Sequence, residues 1–155
     1  MASPSLYFHT VRHLRLQQIY RRLWFRWIRP RVDDSPRPPL RAAKGVWVDV
    51  ARRRPSLVNA RTFTFLNVQG CLDDIGWDGP PQEKLWRYNQ HYFDDLSAAG
   101  CETREAWHQD LLARWLAANP PAQGTGWEPY PTSLRLVNWV KWHAAGHVLP
   151  EEALQ

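Results

Sequence analysis

Residues 126–142 read GWEPYPTSLRLVNWVKW, and this stretch decides the fold. A helix is predicted here with its N-cap near Thr132, because a threonine hydroxyl can accept a hydrogen bond from the free amides of the first turn. Its apolar residues surround most of the circumference: Leu134, Leu136, Val137, Trp139, Val140 and Trp142. Arg135, Asn138 and Lys141 are its main polar positions. A helix that is apolar nearly all round is expected to be buried on nearly all sides.

Two further helices are predicted before it, each with apolar residues at helical spacing. The face of the first consists of Leu85, Trp86, Asn89, Tyr92, Phe93 and Leu96, with Gly100 closing the helix. The second has Thr103 as N-cap, ends at Asn119, and carries one stripe, Trp107, Leu111, Leu112, Trp115 and Leu116. Pro150 and two glutamates look like the first turn of a fourth helix. A helix that is apolar on one side, followed by a helix that is apolar nearly all round, is typical of two concentric layers of helices.

The N-terminal third has a different pattern. Residues 9–29 are predicted to form a basic amphipathic helix, and residues 30–41, with four prolines, an extended linker. The apolar stripe of the 9–29 helix could lie on an anionic membrane or pack on the rest of the protein, and the sequence leaves both possibilities open. One or two short strands are predicted within 47–69. We therefore divide the chain into residues 1–41 and 42–155, the latter the start of a mainly α domain.

Charge is distributed unevenly along the 155 residues. Residues 1–61 contain 14 Lys and Arg against 3 Asp and Glu, a net charge of +11. Residues 62–155 contain 6 against 12, a net charge of −6. A basic N-terminal segment points to an anionic partner, whereas the acidic remainder argues against a body that binds nucleic acid.

The order of residues from 62 to 148 resembles the N-terminal region of the heparinase II/III family of polysaccharide lyases and alginate-lyase-like proteins. The stretches that carry the resemblance are KLWRYNQHYFDDL at 84–96, WLAANPP at 115–121 and the 126–142 stretch. The last is the most specific, because helix patterning alone does not require this order of Trp, Glu, Pro, Tyr, Arg and Asn.

This resemblance implies an incomplete (α/α) toroid continued by a β-sandwich, and β-elimination on uronic-acid-containing polysaccharides such as heparan- or alginate-like chains. That chemistry requires a group that neutralises the uronate carboxylate, a base for the adjacent proton and an acid for the leaving oxygen. In the family the main catalytic positions lie beyond the region that this chain matches. We therefore expect a segment that contributes fold and substrate contacts. The alternative is a non-catalytic carbohydrate-binding or membrane-associated helical module.

Seven residues are candidates for contacting an acidic polysaccharide: Trp127, Glu128, Tyr130, Arg135, Asn138, Asn89 and His91. The first three lie in a 13-residue connection, 119–131, that is long for a helix–helix link. Aromatic rings there could stack on sugars or could plug the helical layer. The partner of Arg135 could be a substrate uronate, but an internal ion pair with Glu128 or an acid of the first helix is favoured. We expect Trp127, Tyr130, Arg135 and Asn138 to form one patch inside the helical ring.

Other classes of site have little support in the sequence. Cys71 and Cys101 are expected to be separate thiols and not a bridge. His143 and His147 are spaced i, i+4 but lack a third ligand, so no metal or other cofactor is predicted. Neither a membrane-spanning run nor a secretory signal is visible, although the family is often periplasmic, and localisation stays open.

Overall fold

The computed structural model of the chain describes residues 8–9, 12–28, 35–36, 38–39, 45–48 and 51–154, and it is mainly helical. The chain divides into two compact units, Met1–Asp33 and Asp34–Gln155. The predicted linker at 30–41 falls mostly outside the described residues.

The first unit contains helix α1, Leu16–Trp27, which is shorter than the predicted 9–29. It begins where the side-chain carbonyl of Gln18 accepts a hydrogen bond from the Arg15 amide at 2.8 Å. It ends at Ile28, whose backbone is extended. None of the described helices is long and apolar enough to cross a membrane.

The second unit contains a β-hairpin of β1, Thr62–Phe65, and β2, Val68–Cys71. β1 lies within the predicted range 47–69, whereas β2 extends two residues beyond it. Thr62 pairs with Cys71 and Phe65 with Val68, in antiparallel register. Leu66 and Asn67 both have positive φ, as a two-residue hairpin turn requires. The alternation of the first strand buries two phenylalanines, at positions 63 and 65, on the core side.

Four α-helices follow the hairpin: α2, Leu72–Ile75; α3, Lys84–Gln90; α4, Glu105–Ala118; and α5, Pro129–Ala144. Short 3₁₀ turns lie at Asp94–Ser97, Cys101–Arg104, Thr125–Trp127 and Glu151–Leu154. The core is an aromatic cluster between the hairpin and the helices, and its buried tryptophans are Trp77, Trp86, Trp115, Trp139 and Trp142. The fourth predicted helix is only a 3₁₀ turn.

The predicted helix from Leu85 to Leu96 is wrong beyond Gln90. Phe93 adopts a left-handed conformation with φ 58°, which an α-helix does not tolerate. The amide of Asn138 donates to the carbonyl of Tyr92 at 2.8 Å and to the carboxylate of Asp94 at 2.7 Å, on either side of this residue. The chain therefore turns here because a distant helix supplies a hydrogen-bond donor.

Both predicted threonine caps are also wrong. The hydroxyl of Thr103 donates to the Gly100 carbonyl at 2.8 Å within a 3₁₀ turn, and α4 begins at Glu105. The hydroxyl of Thr132 contacts the Gly126 carbonyl at 3.3 Å, and α5 already begins at Pro129, a residue type favoured at the first helical position. The predicted end of α4 at Asn119 is confirmed.

Helix α5 is not buried on nearly all sides, as its sequence predicted. Leu136, Val137 and Val140 are exposed, whereas Arg135 and Asn138 are buried. Two polar residues of this helix, Arg135 and Asn138, thus face the core, and part of its apolar surface faces solvent.

Candidate functional site

The seven candidate residues fall into an interior group and a surface group. The side chains of the interior group point into the second unit, and the group consists of Trp127, Arg135, His91 and Asn138. The surface group consists of Glu128 and Tyr130. Asn89 is half-buried, and its amide donates to the Leu85 carbonyl of its own helix at 2.7 Å. The predicted single patch of Trp127, Tyr130, Arg135 and Asn138 is therefore not what forms.

Trp127 packs against the C-terminal end of helix α4. Its indole N–H donates to the Asn119 carbonyl at 3.1 Å, and its ring centroid lies 5.6 Å from that of Trp115. The amide of Asn119 in turn donates to the Trp115 carbonyl at 2.8 Å. The sequence allowed two roles for Trp127: stacking on a sugar, or packing within the helical layer. This geometry matches the second role, because the polar edge of the indole already has a partner inside the protein.

Arg135 is held in an aromatic cage. Its guanidinium carbon lies 3.9 Å from the ring centroid of Trp115, with Trp127 and Trp139 at 5.1 and 5.5 Å. One terminal nitrogen donates to the Gly126 carbonyl at 2.6 Å, and the residue is 1% exposed. Burial lowers the pKa of the guanidinium to about 10, so it stays charged at neutral pH. Cation–π contact partly compensates its lost hydration.

The expected ion pair of Arg135 with Glu128 or with an acid of the first helix is wrong. Across the described residues, no carboxylate lies within ion-pair distance of this guanidinium. Glu128 contacts Lys84 and Tyr88 instead.

His91 is a neutral core histidine. Its Nδ1 accepts a hydrogen bond from the Trp115 indole at 2.9 Å, and its ring stacks on Trp77 with centroids 5.9 Å apart. Burial, and next the positive charge of Arg135, lower its pKa to about 4. With no exposed surface, it cannot touch a substrate.

Glu128 and Tyr130 belong to a cluster that we call the tyrosine patch: Lys84, Tyr88, Tyr92, Glu128 and Tyr130. Tyr92 is its buried member. Tyr130 is 57% exposed, and its ring stands edge-on to Tyr92 at 5.7 Å and lies 6.4 Å from Tyr88. The Tyr88 hydroxyl donates to the Glu128 carboxylate. The Lys84 ammonium lies 2.9 Å from that carboxylate and 5.2 Å from the centroid of the Tyr88 ring.

The electrostatics of the patch favour protonated tyrosines beside an ionised glutamate. Burial, and then neighbouring Tyr130, raise the pKa of Tyr92 to about 12. Burial and the Glu128 carboxylate raise the pKa of Tyr88. Burial alone would raise the pKa of Glu128, but the contacts from Tyr88 and Lys84 outweigh it and leave the pKa below its ordinary value. Both hydroxyls therefore stay protonated at neutral pH.

Sequence reasoning missed Lys84 as a member of the patch. The sequence does contain a pattern that points to Lys84. Positions 84, 88 and 92 are each four apart and would share a face in a continuous helix. Helix α3 ends before position 92, yet Tyr92 stays near Tyr88 through their shared neighbour Tyr130.

A buried carboxylate at Asp95 was also missed. It accepts hydrogen bonds from the backbone amides of Ser56 and Leu57 and from the side chains of Arg104 and His108. The Ser56 hydroxyl contacts the carboxylate and not the imidazole, so these residues do not form a nucleophilic triad. Asp95 is a structural tie between the 51–58 segment and α4.

The structure also places the two cysteines and the histidine pair near the end of α5. Cys71 and Cys101 are both free thiols, as predicted. His147 Nδ1 contacts Glu105 at 2.8 Å, and His143 Nδ1 lies 3.2 Å from the His147 carbonyl. Across the described part of the chain, no three His, Cys, Asp or Glu side chains group as metal ligands.

No family model, curated protein or solved structure matches the chain.

Proposed function

We propose that this chain is the N-terminal segment of a polysaccharide lyase that acts on uronic-acid-containing polysaccharide, and that its tyrosine patch contacts the substrate. The observation that carries the proposal is the exposed ring of Tyr130, which lies against the rings of Tyr88 and Tyr92. The Lys84 ammonium in turn contacts the Tyr88 ring and Glu128. Aromatic rings stack on the apolar faces of sugars, while their hydroxyls donate to sugar oxygens.

Lys84 gives the patch a preference for acidic sugars. Its side chain is 58% exposed, and an ammonium has three donors, of which Glu128 needs only one. A uronate carboxylate beside Tyr130 could accept from the others. The selectivity should be modest, because an exposed lysine is a hydrated point charge and Glu128 partly neutralises it.

We assign contacts, and not proton transfer, to these residues. A lyase base must be deprotonated at working pH and must reach the sugar, as general base catalysis requires. His91 is neutral but buried, and Tyr88 and Tyr92 have raised pKa values. The buried Arg135 cannot neutralise a bound uronate. These facts support what the family resemblance implies, namely that this segment contacts the substrate while other parts of a lyase carry the catalytic groups. They equally suit the alternative of a non-catalytic carbohydrate-binding module.

The exposed apolar residues of α5 are the observation that favours a toroid segment over an isolated module. Leu136, Val137 and Val140 form an exposed apolar strip on a helix that buries Trp139 and Trp142 on another side. An inner-layer helix of a toroid is covered on both sides, so such a strip is where a neighbouring helix of the ring would pack.

The experiment is to titrate the full chain with alginate or heparan sulfate oligosaccharides and with a neutral cello-oligosaccharide, using calorimetry. Tyr130→Ala should weaken binding of both kinds of sugar about tenfold, the order expected for an aromatic contact. Lys84→Gln should weaken binding of the acidic sugars only. Matched controls are Tyr20→Ala, an equally exposed tyrosine of α1, and Lys141→Gln.

The same samples decide between contact and catalysis. Ultraviolet absorbance of the unsaturated product should stay flat when the chain is incubated with each acidic polymer. Product formation would show that catalytic groups lie within this chain and would overturn our assignment. Binding that Tyr130→Ala and Tyr20→Ala reduce equally would remove the tyrosine patch from the proposal.

A further inference from the structure

Helix α1 exposes a continuous apolar stripe. Leu16, Tyr20, Leu23 and Trp27 are spaced i, i+4, i+7 and i+11, so they share one face of the helix. Their exposed fractions range from 57% for Leu23 to 85% for Leu16. Four large apolar side chains on one short helix form a surface that favours an apolar environment.

Arginines flank this stripe without any compensating acid nearby in the sequence. Residues 1–32 contain seven arginines and neither Asp nor Glu. Arg15 and Arg22, which are seven residues apart and so lie on one side of the helix, are both exposed. The helix therefore presents an apolar face with a strongly cationic border.

We infer that α1 is a membrane-surface anchor that binds bilayers containing anionic phospholipid. A helix that lies in the headgroup region combines an apolar face with Lys or Arg on its polar side, and tryptophan and tyrosine rings suit that boundary. The stripe carries one residue of each of these aromatic types, Trp27 and Tyr20. At about 1.5 Å per residue, a 12-residue helix is only about 18 Å long, which fits a position along the surface and is too short to span the hydrocarbon core.

The apolar stripe decides between lipid and nucleic acid as the occupant. Phosphates of either ligand would attract the arginines. A nucleic-acid backbone, however, would leave Leu16, Leu23 and Trp27 in water, whereas the acyl boundary of a bilayer would cover them. This inference uses only the first unit and stands apart from the tyrosine patch.

The test is co-sedimentation of the full chain with vesicles of phosphatidylcholine alone or mixed with phosphatidylglycerol. We expect strong binding to the mixed vesicles at low salt, with weaker binding at high salt as the charges are screened. Arg15→Gln with Arg22→Gln should reduce binding about 25-fold, since each arginine near an anionic surface contributes about fivefold. The charge-matched control is Arg61→Gln with Arg114→Gln, two half-exposed arginines of the second unit.

A second pair of variants tests the apolar face. Leu23→Ser with Trp27→Ser should reduce binding by more than about tenfold, because two large side chains lose apolar burial in the bilayer. The control is Leu136→Ser with Val140→Ser, exposed apolar residues of α5. Calorimetric unfolding of each variant should match the unsubstituted chain.

Three results would overturn the inference. The first is equal reduction by the α1 variants and their controls. The second is a Leu23→Ser/Trp27→Ser variant that unfolds more easily while keeping vesicle binding, which would mean that the stripe packs on protein. The third is duplex DNA binding that matches vesicle binding and is lost with the arginines but not with the apolar residues.

Discussion

Replacement of Asp95 by asparagine should lower the free energy of unfolding by about 2 kcal/mol at pH 7, and the loss should shrink in acid. Oδ1 of this carboxylate accepts from the amides of Ser56 at 2.7 Å and Leu57 at 3.1 Å. Oδ2 accepts from Arg104 Nε at 2.9 Å and His108 Nε2 at 2.8 Å. An asparagine can keep the first pair but places an N–H₂ group against the second.

The magnitude follows from the pKa of Asp95. Burial alone would raise it, but hydrogen bonds from His108, the Ser56 and Leu57 amides, and Arg104 hold it at about 2, below its ordinary value of 3.8. A carboxyl whose pKa is lower in the folded state stabilises the fold above its unfolded pKa. That stabilisation is lost as pH falls through the folded pKa. At about 1.4 kcal/mol per pKa unit, it is about 2 kcal/mol at pH 7 and roughly half of that at pH 3.

The assay is urea unfolding at pH 7 and pH 3, followed by far-ultraviolet circular dichroism. Asp73→Asn is the matched control, because Asp73 pairs with Arg61 at 2.9 Å but its side chain is about half exposed. Its loss should stay below about 1 kcal/mol, the range of surface ion pairs. Equal losses for the two variants, or an Asp95→Asn loss that is the same at both pH values, would refute the reasoning.

Two further substitutions test the interior group. Gly126→Ala should lower the free energy of unfolding by about 1–3 kcal/mol, because an added Cβ would lie 2.7 Å from the His91 Nδ1 in a packed core; an unfolding midpoint like that of the unsubstituted chain would show that the ring can move aside. Asn138→Ala should cost about 1–3 kcal/mol in the same urea assay, because the Tyr92 carbonyl loses a donor in a buried site. Ser133→Ala, on the exposed side of α5, is its control and should have little effect.

The sequence predicted the first strand and the longer helices in their order, because these depend on local patterns, but it did not predict the short helix α2. The alternation of Phe63 and Phe65 indicates a strand, and the stripe of Leu111, Leu112 and Trp115 indicates a helix with one buried side. The end of α3 could not be predicted in this way. It depends on Asn138, which is 46 residues from Tyr92 in the sequence.

The orientation of α5 was beyond the sequence for a different reason. Periodicity shows which residues share a helix face, but when nearly every face is apolar it cannot show which one meets the core. Arg135 is buried, as expected, but not beside the carboxylate that the sequence suggested as its partner. It is inside because Trp115, Trp127 and Trp139, from separate parts of the chain, form the cage that holds its charge.

This cage also connects the interior group to the tyrosine patch. Arg135 donates to the Gly126 carbonyl, and the Thr132 hydroxyl contacts the same oxygen, so α5 holds the end of the loop that precedes it. Glu128 and Tyr130 lie two and four residues after Gly126. The loop and the helix thus fix each other, and their joint geometry places Tyr130 beside Tyr88 and Tyr92. Arg135 is therefore a positioning residue for the patch, because its cation acts on the protein's own backbone. In the function that we propose, contact with an acidic sugar is left to the exposed Tyr130 and Lys84.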